Sequence, residues 1–502
     1  MLRGRHVFYC ISWCYFLFLV FYQLGDYQLE FYDEARRGVS ALEMYQGKSH
    51  PLVPTYAGQP EHWGTKPPLL IWLQTTFVAL LGPTELAIRL PAALATLAAI
   101  GLMVWFSNRQ WGYGLVGTLA GWVLLSNWNF LGSHGARSGD FDAMLLLFTL
   151  GQVLFYYTWI QTKNNRYLYL AALALLLAGW TKGIAGCLFL PAIGLWTLLE
   201  PKARKQLLNW RLYTAFGLAL MGIFSYYGVR EIIDDSFLKI VANNELGGRF
   251  LRANEGHAQP WNHYFSVLAS ERNFLLFVLL VFPASLWMQS QREHRSLAQL
   301  LFLGLVVFLL VISLSTTKLF WYITPMLPFV SLFAAWFFIE AGQLMGASIR
   351  PSAVASAVVL LFIGLFFFVP TERQIKKVLA PEEHLGLRAQ LYYQAAIQNP
   401  DFTAPYTVLT PEYHANARFY VEQQRILGRE LNITSCLTVQ SPKWSNPTPP
   451  LPLEVGQRVL ICENNSWVWM ATQHHYREIK EVSPCKLVEI LGEKEKEETS
   501  NH

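Results

Sequence analysis

The chain has 502 residues, of which 53% are hydrophobic and only 15% are charged. A soluble enzyme of ordinary composition carries a charged share of about 25%, so the composition excludes that class and predicts a membrane protein. The formal net charge of +5 is small for this length, and the basic residues are scattered or lie in short loops. That distribution gives little support to nucleic-acid binding.

The first apolar segment follows Arg3 and Arg5 and runs from Val7 to about Leu24. A cleaved signal peptide would have a shorter apolar core and a cleavage site between small residues, and neither is evident before Gly25. We therefore expect this segment to be retained as the first membrane span.

Further apolar segments recur along the chain, most of them close to the length of about 20 residues that a helix needs to cross a bilayer. Two shorter ones are separated by Lys182 and Gly183. The predicted spans are 7–24, 86–107, 113–131, 141–160, 167–181, 184–199, 212–229, 274–290, 297–315, 321–341 and 352–370. The pattern predicts eleven spans, or up to thirteen if segment 67–82 or another stretch hides further crossings.

The loop charges orient these spans, because cytoplasmic loops carry an excess of Lys and Arg. With segment 67–82 kept at the outer surface, one side collects Arg3, Arg5, Arg109, Lys163, Arg166, Lys202, Arg204, Lys205, Arg211, Arg292, Arg295 and Arg350. A crossing at 67–82 would invert every later loop and place the 202–211 cluster on the wrong side. We therefore expect a cytoplasmic N-terminus and an outer C-terminus.

The predicted fold class is an all-α polytopic membrane bundle with a small exported α/β domain. The bundle covers residues 1–370, with outer loops 25–82, 132–140 and 230–273, and the exported domain covers 371–502. Turn residues and short β-type apolar runs, such as 407–409 and 458–462, favour strands after Pro370. Cys436, Cys462 and Cys485 fall there, and export would permit one disulfide among them.

The stretch from Phe31 to Leu73 places several ionisable side chains beside a membrane surface, where such groups are costly and functional. Apolar residues recur at near-helical spacing after Asp33 and Glu34, which predicts an amphipathic helix over 34–47 lying on the membrane. Asp33 either caps that helix or directs its carboxylate into an outer cavity as a base or electrostatic stabiliser.

Asp140 and Asp142 form a second acidic element at the mouth of the span that begins there. Two carboxylates at alternating positions can share a divalent cation through oxygen ligands. Helix capping with a favourable dipole explains at least one of them equally well. The two alternatives stay open.

Basic residues also lie on the predicted outer side, against the orientation bias and close to span ends: Lys66, Lys182, Arg249, Arg252 and Lys318. Any one of them could extend to a lipid headgroup. Together they predict a site for a diphosphate or a phospholipid, because such cations bind phosphate by ion pairs and hydrogen bonds.

Histidines on the same side could ligate a metal ion. His62, His134 and His257 are the candidates, but no paired spacing links them. Polar surface histidines are the simpler interpretation.

A set of motifs in this order resembles a known family. They read Asp33-Glu34-Ala35-Arg36, Lys66 to Leu73, Arg137 to Asp142, Gly248-Arg249-Phe250 with Gly256 to Trp261, and Ser315 to Pro325. They resemble the bacterial lipid-sugar glycosyltransferases of the protein-mannosyltransferase-like superfamily, and among these the aminoarabinose transferases that modify lipid A. The resemblance covers about residues 7–370.

The resemblance implies the C-type glycosyltransferase fold and transfer of a sugar from a polyprenyl phosphate donor to a lipid or glycan acceptor at the outer leaflet. It also implies that the membrane is the bacterial inner membrane. The candidate catalytic residues are Asp33, Asp142, Asp140 and Glu34. The candidate residues for the donor phosphate are Lys66, Arg249, Lys182, Lys318, Tyr322 and Arg137.

Two departures from the family pattern concern the metal and the second loop. Thr65 stands where many members have Glu, with Glu61 four residues earlier, so a divalent cation (Mg, Mn or Zn) would have to use Asp140, Asp142, Glu61 or His257. The second loop reads Arg-Ser-Gly-Asp-Phe-Asp instead of Arg-Thr-Asp, so Asp140 and Asp142 compete for one role.

Two other functions remain open at this point. Protein O-mannosylation is the alternative within the enzyme class. A transporter of lipid-linked sugars would place its charged groups near mid-span, whereas here they cluster in outer loops.

Overall fold

The computed structural model describes residues 2–251, 256–270, 272–348, 368–380, 391–411, 413–436 and 452–494. They form two compact units. We call Met1–Leu24, Thr65–Leu70 and Arg89–Pro381 the helical unit, and Gly25–Gly64, Ile71–Ile88 and Glu382–His502 the sheet unit. The domain boundary expected after residue 370 stays a prediction.

The elements follow each other in chain order. The first helices are α1 (Leu2–Phe21), α2 (Asp33–Tyr45), α3 (Leu69–Leu81), α4 (Glu85–Trp111), α5 (Leu115–Leu125), α6 (Trp128–Leu131), α7 (Asp142–Thr162), α8 (Asn165–Lys182), α9 (Leu190–Leu199) and α10 (Pro201–Arg204). They are followed by α11 (Trp210–Ile233), α12 (Phe237–Val241), α13 (His263–Ser270), α14 (Arg272–Ser290), α15 (Arg295–Leu314), α16 (Leu327–Ser348), α17 (Val369–Leu379), α18 (Leu391–Gln398), α19 (Ala415–Ile426) and α20 (Asn464–Gln473). The strands are β1 (Thr55–Tyr56), β2 (Gln59–Pro60), β3 (Tyr406–Thr410), β4 (Leu431–Ser435), β5 (Arg458–Ile461), β6 (His474–Val482) and β7 (Cys485–Glu493).

The helical unit is built from apolar helices. Within the described ranges six helices are long and apolar enough to cross a membrane, and the bent pair α13 and α14 would make a seventh if it forms one span. The described residues also include four shorter apolar helices: His6–Phe21, Leu69–Leu81, Leu115–Leu125 and Leu190–Leu199. Of these, Leu69–Leu81 lies mostly in the sheet unit. The predicted span 352–370 falls almost entirely outside the described residues, so the total of eleven stays a prediction.

Helices α7 and α8 form a hairpin at the centre of this unit, and the chain reverses directly after Lys182. Gly183 has a φ of +58°, a left-handed conformation that glycine adopts without a steric penalty. Gly186 then packs so closely on the backbone of Ala178 that a Cβ would lie 2.4 Å from its carbonyl carbon. The break predicted at Lys182 and Gly183 is therefore a tight turn that fixes the end of α8.

The sheet unit contains a five-stranded sheet in the order β4-β3-β5-β7-β6. The strand β3 is parallel to β4 and β5, while β7 is antiparallel to β5 and β6. Every residue of β3 is buried, as expected for a central strand covered on both faces. The α/β class expected for the C-terminal part is confirmed.

Helix α2 packs in the core of the sheet unit. Val39 and Leu42 lie in one apolar cluster with Val78 of α3 and Phe419 of α19. Gly38 lies so close to Phe419 that a Cβ would be 2.8 Å from the ring, so a side chain at position 38 would displace the ring. The expected amphipathic helix is present, and its apolar face is covered by protein.

Cys462 and Cys485 form a disulfide. Ile461 at the end of β5 lies opposite Lys486 of β7. This register brings Cys462, which directly follows β5, next to Cys485, which begins β7. Cys436 is buried and unpaired with another cysteine. The disulfide expected among these three cysteines is thus present between two of them.

His414 gives the sheet unit a specific sensitivity to acid. Its Nδ1 accepts the backbone N–H of Ala417 at 3.1 Å and caps α19, while Phe31 and Tyr393 cover the ring. Burial lowers the pKa of His414 from 6.5 to about 3. The nearest carboxylate oxygen, from Glu463, is 3.7 Å from Nε2, too far for a hydrogen bond that would offset the burial.

We expect the stability that His414 contributes to be complete above pH 6.5 and to be lost as the pH falls towards 3, because the unfolded chain then binds a proton that the folded chain does not. Between pH 6.5 and 5 the loss is about 2 kcal/mol. The His414→Asn variant keeps an N-cap acceptor and should show a flatter dependence. Thermal unfolding of both full chains from pH 7.5 to 5 measures this, and equal slopes would contradict the assignment.

Candidate active site

An ion pair between Asp142 and Lys182 joins the ends of α7 and α8. The Lys182 Nζ lies 2.6 and 2.8 Å from the two carboxylate oxygens, and the Asp142 side chain is 1% exposed. The same ammonium lies 5.6 Å from the centre of the Tyr322 ring. Three residues predicted from separate motifs therefore meet at one place.

Asp140 lies beside this pair and contacts His134. The His134 Nδ1 is at hydrogen-bonding distance from an Asp140 carboxylate oxygen, and the His134 ring stacks on Trp321 at 3.7 Å between centroids. His134 has a φ of +58°, which is uncommon for a residue with a side chain and marks a constrained position. The other oxygen of Asp140 accepts the N–H of Phe141 at 2.7 Å.

Lys66 contacts Glu245, a residue that the sequence analysis did not single out. Its Nζ forms a short hydrogen bond with a carboxylate oxygen of Glu245, and the Thr65 hydroxyl donates to the same oxygen at 2.6 Å. Lys66 is 9% exposed, so its charge is largely removed from solvent and needs this carboxylate. The Glu245 carboxylate therefore lies beside Thr65 and comes from the segment Ala242–Leu251.

The Lys66 and Lys182 loops are neighbours in the helical unit. The Pro67 ring lies 4.0 Å from the position of a Cβ on Gly183, and the Tyr227 hydroxyl approaches the same position at 2.3 Å. The two ion pairs, Lys66 with Glu245 and Lys182 with Asp142, therefore belong to adjoining loops. A phosphate that reached them would meet two lysines that each already have a carboxylate partner.

Lys318 joins two motifs that are far apart in sequence. Its Nζ donates to the carbonyl oxygens of Gln259 and Ser315 at 3.0 and 2.5 Å, and a β-bridge links Ala258 with Thr317. Burial lowers the pKa of Lys318. The exposed His257 accepts the Lys318 backbone N–H through its own carbonyl oxygen at 3.2 Å, and its role as a metal ligand stays a prediction.

The structure describes the side-chain contacts of Arg137, whereas the side chain of Arg249 lies outside the described part. The Arg137 guanidinium donates to the carbonyl oxygens of Leu19 and Tyr22, both at 2.8 Å, and so satisfies acceptors left open at the end of α1. Arg249 lies in the segment Ala242–Leu251. The phosphate contacts expected of both stay predictions.

Asp33 and Glu34 belong to the sheet unit and begin α2. The N-cap of this helix is Tyr32, and within the described ranges no side chain caps it, so the capping alternative for Asp33 is not what the structure shows. The Asp33 carboxylate is 31% exposed and accepts from Arg37 at 3.3 Å. Glu34 is buried, and its carboxylate accepts the Glu30 N–H at 2.7 Å.

Glu61, a candidate metal ligand, lies in a buried ion pair with Arg36. The Arg36 Nε donates to Glu61 Oε2, and the Arg36 Nη2 donates to Glu61 Oε1 at 2.8 Å. The backbone N–H groups of Trp63 and Gly64 donate to Glu61 at 2.7 and 3.0 Å. Although burial opposes it, the Arg36 charge and these hydrogen bonds lower the pKa of Glu61.

A divalent cation has partial support. Asp140 and His134 offer carboxylate oxygen and imidazole nitrogen in close proximity, and both are ligand types for Mg, Mn or Zn. Asp142 is neutralised by Lys182, and Glu61 by Arg36. Of the predicted set, Asp140 is the residue whose surroundings best fit a cation.

The sequence analysis missed two contributors. Glu245 was not singled out, although it lies four residues before Arg249 in a predicted outer loop. His134 was interpreted as a surface histidine, yet it contacts Asp140 and Trp321. A carboxylate a few residues before Arg249 and Arg252, in a predicted outer loop, was the available signal for Glu245.

Known proteins resemble this chain in sequence. Residues 65–227 match the family described as dolichyl-phosphate-mannose-protein mannosyltransferase. An undecaprenyl phosphate-alpha-4-amino-4-deoxy-L-arabinose arabinosyl transferase of Pseudomonas savastanoi pv. phaseolicola is 25% identical over 376 residues, which are 74% of this chain and 68% of that protein.

Solved structures share the fold over most of the chain. ArnT from Cupriavidus metallidurans, crystallised with undecaprenyl phosphate, has a TM-score of 0.72 at 16% identity and covers 96% of this chain and 97% of its own. The archaeal oligosaccharyltransferase AglB from Archaeoglobus fulgidus has a TM-score of 0.53 at 12% identity and covers 84% and 63%. The chain therefore is a multi-pass membrane protein with the C-type glycosyltransferase fold, and it is similar to the bacterial polyprenyl-phosphate-sugar glycosyltransferases, as its motifs predict.

Proposed function

We propose that this protein is an integral-membrane glycosyltransferase that moves a sugar from a polyprenyl phosphate donor to a lipid acceptor. The observation that carries the proposal is the pair of adjoining loops that hold Lys66 and Lys182 at the ends of apolar helices. Cations in this position suit an anionic headgroup whose chain stays in the membrane. The arabinosyl transferase that it resembles makes an aminoarabinose carried on undecaprenyl phosphate the first donor to test.

The donor half of the reaction uses the lysines. The bond between the anomeric carbon and the phosphate oxygen breaks with its electron pair on the phosphate, so negative charge grows there. Lys66 and Lys182 stabilise that charge, and the carboxylates of Glu245 and Asp142 keep both side chains charged and oriented before the donor arrives.

The acceptor half uses a carboxylate only when the acceptor is a hydroxyl. The acceptor oxygen then forms the new bond to the anomeric carbon with inversion, and Asp33 accepts the hydroxyl proton. A phosphate acceptor is already a nucleophile and needs no base. A divalent cation at Asp140 and His134 would add positive charge near the leaving phosphate.

The side of the membrane on which the transfer occurs also belongs to the proposal. The biased distribution of Lys and Arg in the loops supports an outer active site and an exported C-terminal part. The disulfide between Cys462 and Cys485 suits an oxidising compartment.

Reconstitution tests the function. The full chain in liposomes is supplied with undecaprenyl phosphate carrying aminoarabinose and with lipid A, and both lipids are followed by mass spectrometry. We expect lipid A to gain the mass of the sugar residue while the free carrier phosphate accumulates, and a Lys66→Met variant to slow this roughly 10²–10³-fold.

A second experiment compares cells with and without the chain. It measures their glycolipids and glycoproteins by mass spectrometry. A sugar that appears on protein would favour the O-mannosylation alternative. Movement of the donor across liposomes without consumption would favour a transporter and contradict the proposal.

A further inference from the structure

A groove runs between α4, α7 and α8 in the helical unit. Its volume is about 650 Å³, within the usual range of ligand sites. Ala98, Gly101, Gly151 and Ala174 line it, and their small side chains leave the space between the three helices open. The small residues at these positions of the three helices thus create the groove.

The walls of the groove are apolar and accessible from outside the helical unit. Leu102, Leu147 and Phe148 line it from α4 and α7, and Leu170 and Leu173 of α8 are 38% and 47% exposed. In a protein that spans a membrane, an open apolar groove between spans faces acyl chains. Its shape and lining fit a hydrocarbon chain.

One end of the groove carries two arginines around a tyrosine. The Arg166 guanidinium lies 4.6 Å from the centre of the Tyr167 ring, and the Arg109 guanidinium lies 5.1 Å from it. Both arginines are exposed. Among the residues that the structure describes, neither of them forms an ion pair with a carboxylate, so two positive charges remain at this end of an apolar groove.

Neighbouring residues add to the positive potential. Lys163 donates to the carbonyl oxygen of Lys202 at 3.4 Å, and burial together with the charges of Lys202 and Lys205 lowers the pKa of Lys163. Glu200, between α9 and α10, is an acidic residue near Lys202, and its carboxylate accepts the Lys202 backbone N–H. The excess of positive charge complements an anionic headgroup.

We infer that this groove binds one anionic phospholipid, with an acyl chain between α4, α7 and α8 and the headgroup phosphate at Arg109 and Arg166. Trp105 and Phe155 also line the groove beside Tyr167, where aromatic rings suit the boundary between chain and headgroup.

This lipid is separate from the polyprenyl phosphate donor. Arg166 lies at the start of α8 and Lys182 at its end, and sixteen residues of helix separate them by roughly 24 Å. A phosphate at Arg166 therefore cannot occupy the candidate active site, and the two sites can be tested independently.

The test is titration of the delipidated full chain with phosphatidylglycerol and phosphatidylcholine, followed by native mass spectrometry. We expect phosphatidylglycerol to bind at least tenfold more tightly than phosphatidylcholine. The Arg109→Gln, Arg166→Gln double variant should bind phosphatidylglycerol roughly tenfold to thirtyfold more weakly and lose the preference. Ala98→Phe places an aromatic ring in the groove from an exposed position and should weaken the binding of both phospholipids.

Matched controls lie outside the groove. Arg211→Gln removes a charge from the same predicted face, and Leu218→Phe adds an aromatic ring on the exposed side of α11. Both should bind phosphatidylglycerol as the wild type does. Equal binding of the two phospholipids, or wild-type binding by either groove variant with an unchanged melting temperature, would overturn the inference. Displacement of phosphatidylglycerol by equimolar undecaprenyl phosphate would also overturn it and make the groove a carrier site.

Discussion

The Lys182→Met variant should lose both sugar transfer and stability. Removing the ammonium leaves Asp142 as an uncompensated carboxylate that is 1% exposed, and breaking a buried pair in this way costs about 3–5 kcal/mol. Loss of the positive charge beside the donor phosphate should lower turnover roughly 10²–10³-fold. Turnover per folded molecule in liposomes and melting temperature in detergent measure the two effects separately.

The double variant Lys182→Met, Asp142→Asn separates the two roles. It removes both charges, so most of the stability should return, because replacing a whole buried pair is often neutral. Turnover should stay low, because the cation is still missing. Recovery of turnover along with stability would reduce this pair to a structural element and contradict its place in the donor site.

Arg230 and Asp234 provide a matched control for that experiment. They form another buried ion pair in the helical unit, at 2.7 Å, with side chains 1% and 9% exposed. Asp234→Asn should lower the melting temperature while turnover per folded molecule stays at the wild-type value. If Asp234→Asn lowers turnover per folded molecule as far as Lys182→Met does, the loss is not specific to the Lys182 pair and contradicts its place in the donor site.

Local patterns predicted those features whose cause is local. The periodicity after Asp33 predicted a helix over 34–47, and α2 spans Asp33–Tyr45, because an amphipathic face is visible within the segment itself. Strands β3 and β5 were expected for the same reason. The cysteine pairing was narrowed to three candidates by composition, and the register of β5 and β7 then selected two.

Interruptions inside apolar runs were harder to detect. Segment 113–131 is continuous in hydropathy and predicted one span, yet α5 ends at Leu125. The Asn127 side chain then accepts the Phe130 N–H at 3.1 Å and begins α6. Asparagine favours such a capping position, so Ser126 and Asn127 were the available signal.

Ion-pair partners could not be predicted because tertiary packing selects them. Lys66 and Glu245 are 179 residues apart, and Asp142 and Lys182 are 40 apart. Lysines near span ends are costly and are usually functional, so the sequence singled them out. It did not indicate which carboxylate each lysine would contact. Asp142 was thus a candidate metal ligand in sequence and is the partner of a lysine in the structure.

The Asp33→Asn variant should reduce transfer to a hydroxyl acceptor by roughly 10²–10⁴-fold, the usual contribution of a general base. The Asp33 carboxylate is 31% exposed, and Arg37 is its hydrogen-bond partner among the described side chains at 3.3 Å. Asparagine keeps the size and removes the proton acceptor, so the variant should fold and insert normally. Single-turnover kinetics with bound donor measures the chemical step without the binding step.

Glu34→Gln and Arg37→Gln are the controls that decide which group acts. The Glu34 carboxylate is buried and accepts a backbone N–H within its own turn, so Glu34→Gln should change stability more than turnover. Arg37→Gln removes the hydrogen-bond donor beside Asp33 and should leave substantial turnover, because Arg37 only orients the carboxylate. If Asp33→Asn turns over at the wild-type rate while Glu34→Gln does not, Glu34 is the base. If neither variant is slowed, the acceptor attacks without a base, as a phosphate would.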